Sequence, residues 1–94
     1  MNERGKLIVI EGTDGSGKAT QAKLLIARFE SAGSKVKKLS LPQYGKKSAG
    51  AVEEYLNGKY GSAYEVSPYA ASLFYAVDRF DASFKIREAL AAGK

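Results

Sequence analysis

Three glycines and a lysine stand close together in GTDGSGKAT, the stretch from Gly12 to Thr20. An apolar run at residues 7–10 precedes it, and a helical pattern begins near Lys18. Glycines let the backbone bend tightly and bring its N–H groups near an anion, while a helix start adds unpaired N–H groups and the positive end of the dipole. A lysine at this spacing can follow the outer phosphates of a nucleotide. The sequence therefore predicts a phosphate-binding loop instead of a simple connecting turn.

The residues predicted to hold phosphate are Gly12, Thr13, Asp14, Gly15, Ser16, Gly17, Lys18, Ala19 and Thr20, with Lys18 as the candidate catalytic residue. Ala19 departs from the usual pattern, because Ser or Thr normally follows the lysine and binds Mg²⁺ through its hydroxyl. Thr20 is one residue further on, and a helix turns about 100° per residue, so Thr20 is not an automatic replacement. We assign no metal ligand and expect Mg²⁺ to rely on water, substrate phosphates and a carboxylate that the sequence does not identify.

The length and amino-acid composition of the chain are typical of one small globular domain. Of the 94 residues 45% are hydrophobic and 27% charged, and there is no cysteine for a disulfide or a thiolate metal site. The net charge of +5 comes from scattered lysines, so a nucleic-acid partner is the weaker interpretation. No signal peptide is visible, and no apolar run approaches the roughly 20 residues of a membrane span. The sequence predicts a soluble cytoplasmic protein.

The elements that must position the loop alternate between strand and helix. Residues 6–10 are predicted as a buried parallel strand, residues 18–32 as an amphipathic helix that stops at Gly33, and residues 36–41 as a second strand. Together they form a βαβ unit. A phosphate-loop kinase needs about five such strands and roughly 200 residues. We therefore expect residues 1–94 to be the N-terminal part of a single α/β domain, without its lid and later strands.

Two helices are predicted after the second strand. The first covers residues 48–57 and closes at Asn57-Gly58. The second is opened by Ser67 as N-cap and Pro68 at the first helical position. Its predicted buried stripe consists of Ala70, Leu73, Val77, Phe80 and Phe84.

Tyr75 and Arg79 form a second group that could do chemistry, because residues four apart share a helix face. An aromatic ring can stack on a nucleobase while a guanidinium donates to an oxygen on its edge. By spacing alone, a half-buried tyrosine beside a surface arginine paired with Asp78 or Glu88 is the commoner arrangement. Pro42 and Tyr44 follow the predicted second strand, at the sheet edge where ligands of α/β proteins sit.

The three motifs EGTDGSGKATQ (11–21), LPQYG (41–45) and LFYAVDR (73–79) together resemble the thymidylate kinase family, in order and in separation. The resemblance covers essentially the whole chain but only about the first half of a family member. It implies a P-loop NTPase fold, similar to nucleoside-monophosphate kinases, with a three-layer α/β/α arrangement around a parallel sheet. It also implies transfer of phosphate from ATP to dTMP, Mg²⁺ as cofactor, and a homodimer built on helices like residues 68–92.

The resemblance implies a role for each matching residue. Lys18 and the loop amides would hold the ATP phosphates, Tyr75 takes the place of a phenylalanine that stacks on thymine, and Arg79 matches an arginine that reads the base's oxygen edge. The implied dTMP-binding residues are Asp14, Leu41, Pro42, Tyr44, Tyr75 and Arg79.

Two positions depart from the family pattern. Gln43 stands where an arginine often contacts the monophosphate, and Gly15 where some members have a catalytic arginine, so arginines of a later lid are expected to act. Two alternatives stay open: another deoxynucleoside or nucleoside-monophosphate kinase, or a non-catalytic nucleotide-binding fragment. The 94 residues alone are expected to be inactive.

Overall fold

The computed structural model describes residues 3–13, 15–62 and 64–94. Within these ranges the regular structure consists of the α-helices α1 (Lys18–Ser31), α2 (Gly50–Leu56) and α3 (Pro68–Ala91), with one turn of 3₁₀ helix, Lys47–Ala49, directly before α2. The chain divides into two compact units. The first comprises the residues up to Lys38 together with Ile86–Lys94, and the second is Leu39–Lys85.

All three α-helices end in the same hydrogen-bonded motif with a left-handed glycine. In α1, Gly33 has φ +89°, its N–H donates to the Glu30 carbonyl at 3.0 Å, and the Ser34 N–H donates to the Phe29 carbonyl at 3.0 Å. These two hydrogen bonds satisfy carbonyl groups that would otherwise be unpaired at the end of the helix. The same pattern ends α2 at Gly58 and α3 at Gly93. The predicted helix stops are therefore confirmed.

The start of α3 is also as predicted. Pro68 is its first residue, and the Ser67 hydroxyl accepts a hydrogen bond from the Ala70 N–H at 3.1 Å. A serine cap satisfies one of the N–H groups that have no partner within the helix, and proline suits the first position because its missing N–H is not needed there.

The predicted sheet is not confirmed. The described residues contain no strand, and Leu7, Ile8 and Val9 of the first apolar run are exposed. A strand exists through backbone hydrogen bonds to a neighbouring strand, and neither residues 6–10 nor residues 36–41 have such a partner in the part of the chain that the structure describes. Periodicity predicted two strands, but it does not identify the partner strand that each one requires.

The predicted buried stripe of α3 is wrong. Leu73, Val77, Phe80 and Phe84 are 57 to 66% exposed, and Ala70 is half-buried. The helix instead buries the face that carries Asp78 and Ala82. The small Ala82 allows close packing, and hydrogen bonds offset the cost of burying the Asp78 carboxylate. An apolar stripe shows that a face can be buried but does not identify its partner.

The core of the second unit is small. Ala49, Val52 and Ala82 are fully buried, and the Phe74 ring lies against Tyr55 and Tyr60 with ring centroids 5.9 and 5.3 Å apart. In the first unit, the Gly5 N–H donates to the Leu90 carbonyl near the end of α3 at 2.8 Å. None of the described helices is both long enough and apolar enough to span a membrane.

Candidate functional site

The glycine-rich loop of the first unit takes its shape from left-handed glycines. Gly15 has φ +79° and Gly17 has φ +87°, a conformation that L side chains rarely adopt. A Cβ built at either position meets no heavy atom of the described residues within 4 Å. The requirement for glycine therefore comes from the backbone conformation itself and not from crowding. A hydrogen bond from the Ser16 N–H to the Thr13 carbonyl, 3.1 Å long, closes the turn.

The N-terminus of α1 is open. Gly17 is its N-cap, no side chain caps it, and its first turn carries no acidic residue. The first intrahelical bond runs from the Gln21 N–H to the Gly17 carbonyl at 3.0 Å. The N–H groups at the start of a helix have no intrahelical acceptor and carry the positive end of the dipole. Together with the bent loop before them, these groups suit an anion with several oxygens.

Lys18 lies at the junction of loop and helix. Its ammonium donates a hydrogen bond to the Gly12 carbonyl at 3.1 Å and is exposed. The side chain thus reaches back along the loop towards its first residue, and it brings a full positive charge to the open helix end. An exposed ammonium in this position can exchange a carbonyl for a phosphate oxygen, which is the stronger, charge-assisted acceptor.

The other predicted loop residues are exposed as well, namely Gly12, Thr13, Gly15, Ser16, Gly17, Ala19 and Thr20. Asp14, which the sequence assigned to both the phosphate loop and the dTMP site, lies outside the described residues. The described residues also contain no group of three or more His, Cys, Asp or Glu side chains that could hold a metal ion.

In the second unit, Asp78 anchors the predicted acceptor-binding turn to α3. The Gln43 backbone N–H donates to Asp78 Oδ2 at 2.8 Å, and the Gln43 side-chain amide donates to Asp78 Oδ1 at 3.0 Å. The Ser48 hydroxyl donates to the same Oδ1 at 2.8 Å. Gln43 is 6% and Asp78 1% exposed. Both carboxylate oxygens are therefore occupied by donors inside the protein.

Further bonds fix the same turn. The Gln43 amide also lies 3.1 Å from Asp81 Oδ2 and 3.3 Å from the Asp78 carbonyl oxygen. From α2, the Glu53 carboxylate accepts a hydrogen bond from the Gly45 N–H at 2.6 Å. The turn at residues 41–45 is thus held by side chains of both α2 and α3. The Gln43 side chain points inward in this arrangement.

The network keeps Asp78 ionised at neutral pH. Burial alone raises the pKa of the Asp78 carboxyl, but the hydrogen bonds from the Gln43 backbone, Ser48 and the Gln43 amide, together with the Arg79 charge, lower that pKa below its ordinary value of 3.8. The contributions that lower the pKa exceed the effect of burial, because each hydrogen-bond donor stabilises the ionised carboxylate. Asp78 therefore acts as a fixed acceptor and not as a proton donor.

The predicted base-binding side chains lie on the exposed side of the same region. Tyr75 is half-buried and Arg79 is exposed. Burial, followed by the nearby Tyr44 and Tyr55 phenols, raises the pKa of Tyr75 above 10.0, so its hydroxyl stays protonated at neutral pH. Tyr44 and Tyr55 therefore lie within electrostatic range of Tyr75. Leu41 is exposed, Pro42 is half-buried, and the Leu41–Pro42 peptide bond is cis.

Sequence reasoning missed the anchor. It treated Asp78 as a surface partner for Arg79 and considered Gln43 only as a departure from a family arginine. One signal was available: Ala71, Phe74, Asp78 and Ala82 are spaced by three or four residues, so they mark a second face of α3 that is rich in small residues. A carboxylate centred on such a face is a candidate for burial with hydrogen-bond donors.

The comparisons with known proteins agree on one family. A family model described as Thymidylate kinase matches residues 10–94. The chain is 39% identical over 82 residues to a thymidylate kinase of Mycobacterium tuberculosis, with 86% of the chain and 38% of the relative aligned. It is 43% identical over 76 residues to that of Pelotomaculum thermopropionicum, covering 81% and 34%.

The human thymidylate kinase is 30% identical over 90 residues, covering 96% of the chain and 41% of the relative. The chain thus spans 34 to 41% of the length of these curated relatives. None of the solved structures gave a significant match.

Proposed function

Because the chain belongs to the thymidylate kinase family, a family of P-loop NTPases, we propose that the full-length protein transfers the γ-phosphoryl group of ATP to dTMP and forms dTDP. The observation that carries the proposal is the open N-terminus of α1. A loop with two left-handed glycines leads into a helix that has neither a side-chain cap nor an acidic first turn, and Lys18 begins that helix. A polyphosphate supplies the negative charge and the acceptors that this arrangement lacks.

On the acceptor side, we propose that Tyr75 stacks on the thymine and that Arg79 donates to its oxygen edge. Leu41 and Pro42 would line the site, with Tyr44 near the sugar. The exposure of Arg79 and the partial exposure of Tyr75 support these roles, because both can reach a ligand without rearrangement of the core. Asp14 is included through the family motif alone.

The chemistry requires positioning more than proton transfer. The acceptor phosphate of dTMP is already anionic near neutral pH, so no strong general base is needed. Phosphoryl transfer passes through a loose transition state whose charge is spread over the equatorial oxygens. The loop N–H groups and the Lys18 ammonium would hold that charge in line with the acceptor oxygen.

Mg²⁺ belongs to the proposal as an ion that enters with ATP. The described residues offer no cluster of acidic side chains for it, and Ala19 has no hydroxyl to bind it. Its proposed ligands are phosphate oxygens, water and a carboxylate that the sequence does not identify. The ion would neutralise phosphate charge, and we assign no step of the reaction to a protein-bound metal.

The proposal extends to fold and location. We propose that residues 1–94 form the N-terminal part of one three-layer P-loop domain in a cytoplasmic enzyme. The exposed apolar run at residues 7–10 supports this arrangement, since such a run is suited to a parallel strand covered on both faces.

We further propose that the enzyme is a homodimer that pairs through the exposed face of α3. Leu73, Val77, Phe80 and Phe84 form a continuous apolar stripe there, and the last two rings pack edge to face with centroids 5.4 Å apart. An apolar patch of this kind on a helix marks a contact surface. A two-fold axis beside the helix would bring the same stripe of each subunit together.

Val77→Asp in the full-length protein tests the dimer. Removing valine burial and introducing a charge into the interface should raise the dimer dissociation constant by roughly 100-fold or more. Analytical ultracentrifugation measures the change. Tyr64→Asp, at an exposed position of the same unit outside the stripe, should leave the dissociation constant unchanged. A dimer that persists in Val77→Asp would exclude this face as the interface.

The activity is tested by phosphoryl transfer with wild type and Lys18→Ala. With dTMP as acceptor, the variant should lose about 10²- to 10³-fold in turnover, the range found when one donor to transition-state charge is removed. Lys23→Ala, an exposed lysine of the same helix, removes an equal charge and should stay near wild type. Activity of Lys18→Ala within a few-fold of wild type would contradict the role of the loop.

Comparing dTMP with dUMP, dGMP and thymidine separates the proposed substrate from its rivals. Preference for dTMP supports the proposal, and preference for another acceptor favours a different nucleoside or nucleoside-monophosphate kinase. Nucleotide binding without transfer to any acceptor would show a binding module.

A further inference from the structure

Asp78 is the most deeply buried charged group among the described residues, and the proposed chemistry does not use it. Its carboxylate accepts three hydrogen bonds from two residues, Gln43 and Ser48, at distances between 2.8 and 3.0 Å. An ionised carboxylate is costly to bury, and the donors must compensate that cost.

The bonds of Asp78 join two groups of proposed ligand-binding residues. Gln43 lies between Pro42 and Tyr44 in the turn, while Asp78 lies three residues after Tyr75 and directly before Arg79 on α3. The bond from the Gln43 backbone N–H fixes the path of the turn, and the bond from its side chain fixes the orientation of that residue. Asp78 therefore links the turn that carries Tyr44 to the helix that carries Tyr75, and it makes more of the bonds that hold this turn than Asp81 or Glu53 does.

The acceptor chemistry of Asp78 suits this purpose. An ionised carboxylate only accepts, so it matches a backbone N–H, a side-chain N–H and a hydroxyl at once. An asparagine of the same size would present an NH₂ group to one of these donors and leave it without an acceptor. Because the site is buried, water cannot replace the lost partner at low cost.

We propose that Asp78 is a positioning residue for acceptor binding. It clamps the Leu41–Gly45 turn onto α3 through Gln43, and it thereby sets the distance between Tyr44 and Tyr75 at which a pyrimidine nucleotide fits. This inference rests on the proposed function. In this chain, Gln43 serves the clamp from within the protein and is not a contact for the acceptor phosphate.

The test compares Asp78→Asn with wild type in the full-length protein. The KM for dTMP should rise about 10-fold while the KM for ATP stays within about 2-fold, because one misplaced donor costs on the order of 1.4 kcal/mol. Hydrogen exchange followed by mass spectrometry should show faster exchange at residues 41–45 and unchanged exchange in α1. A purely structural role would lower the active fraction and move both KM values little or equally.

Two further variants keep the test decisive if Asp78→Asn folds poorly. Ser48→Ala removes a single donor from the carboxylate and should raise the KM for dTMP by about 2- to 3-fold, with no effect on ATP. Glu54→Gln removes an exposed carboxylate that pairs with Lys59 at 3.3 Å, and it should match wild type in both constants.

The outcomes separate the two proposals. If wild type phosphorylates dTMP but Asp78→Asn, or Ser48→Ala in its place, keeps its KM for dTMP, the positioning role is wrong and the function stands. An equal rise in the KM for ATP and dTMP also overturns the positioning role. If wild type does not phosphorylate dTMP, the proposed function fails and this inference fails with it.

Discussion

The two candidate binding regions of this chain are built in opposite ways. The phosphate loop, residues 12–20, owes its shape to backbone conformation, and its described residues are exposed. The turn at residues 41–45 owes its position to side chains, above all Asp78 and Gln43, which are nearly inaccessible. At the loop, no side chain caps the start of α1. The buried side-chain polar atoms of the described residues, including those of Gln43 and Asp78 at the turn, all have hydrogen-bond partners.

The difference follows from the chemistry that each region is proposed to bind. A polyphosphate brings its own acceptors, so a loop that already satisfied its N–H groups would compete with the ligand. A helix start without a capping side chain lowers the free energy of unfolding by about 1 kcal/mol, and a bound anion can offset this loss. A nucleobase carries little charge and is recognised by shape and by a few oriented groups. A binding surface for a nucleobase therefore benefits from buried hydrogen bonds that hold its side chains in the binding geometry before the ligand arrives.

Among the variants that test this contrast between the two regions, the largest effect is expected at the acceptor region, from Arg79→Ala. If side chains carry recognition there, removing the guanidinium should raise the KM for dTMP by about 10- to 100-fold, the cost of one or two charge-assisted hydrogen bonds. The KM for ATP should change by no more than about 2-fold. Steady-state kinetics with each substrate varied in turn measures both constants.

Arg28→Ala is the matched control for this variant, because it removes an equal charge from the last turn of α1. It should leave the KM for dTMP unchanged. Equal increases of both constants in Arg79→Ala would remove its role in base recognition and would weaken the contrast between the regions.

A smaller effect is expected from a backbone change, and it should be confined to the loop. Gly17→Ala forces an L residue to φ +87°, which costs about 1 to 2 kcal/mol, so the KM for ATP should rise roughly 10-fold. Gly50→Ala, in the other unit at φ −56° with no described atom near its Cβ, should instead stabilise the protein by about 0.4 to 1 kcal/mol.

ATP titration and urea unfolding of both glycine variants provide the readouts. An unchanged KM for ATP in Gly17→Ala would mean that the loop does not depend on its left-handed glycine. Destabilisation by Gly50→Ala would show that the second unit also relies on backbone freedom, and the two regions would then not differ in this respect.

The same contrast explains what the sequence predicted well. Backbone signals are local, so Gly33, Gly58, Ser67 and Pro68 predicted helix ends and starts that the structure confirms. The glycine spacing of the loop is likewise a local signal, and it places the helix start at Lys18 as expected.

Non-local features escaped prediction. The hydrogen bond between Asp78 and Gln43 joins residues 35 positions apart. Aspartate and glutamine are usually exposed, so neither residue type by itself predicts burial. The stripe Leu73, Val77, Phe80 and Phe84 was assigned to the core because an apolar period does not state what covers it. The strands predicted at residues 6–10 and 36–41, which the structure does not confirm, have the same difficulty, because a sequence run does not identify the strand with which it pairs. The roles of the site residues remain predictions.

The smallest effect is expected from acid, and it should appear only in the side-chain-built region. The pKa of Asp78 is lowered in the folded protein, so its contribution to the free energy of unfolding is complete above its unfolded pKa, near 3.8, and is lost as the pH falls through the folded value. Arg79 and Asp81 are the charged neighbours that share this environment.

Urea unfolding of the full-length protein measures this contribution. Near neutral pH, wild type should have a larger free energy of unfolding than Asp78→Asn, by a small part of the total of about 5 to 15 kcal/mol that is typical of a whole protein. The difference should shrink only below about pH 4, because a protonated Asp78 loses the same acceptor that asparagine lacks. A difference that stayed constant into acid, or that grew, would mean that the anchor does not depend on the charge of Asp78, and the turn would then be held by packing alone.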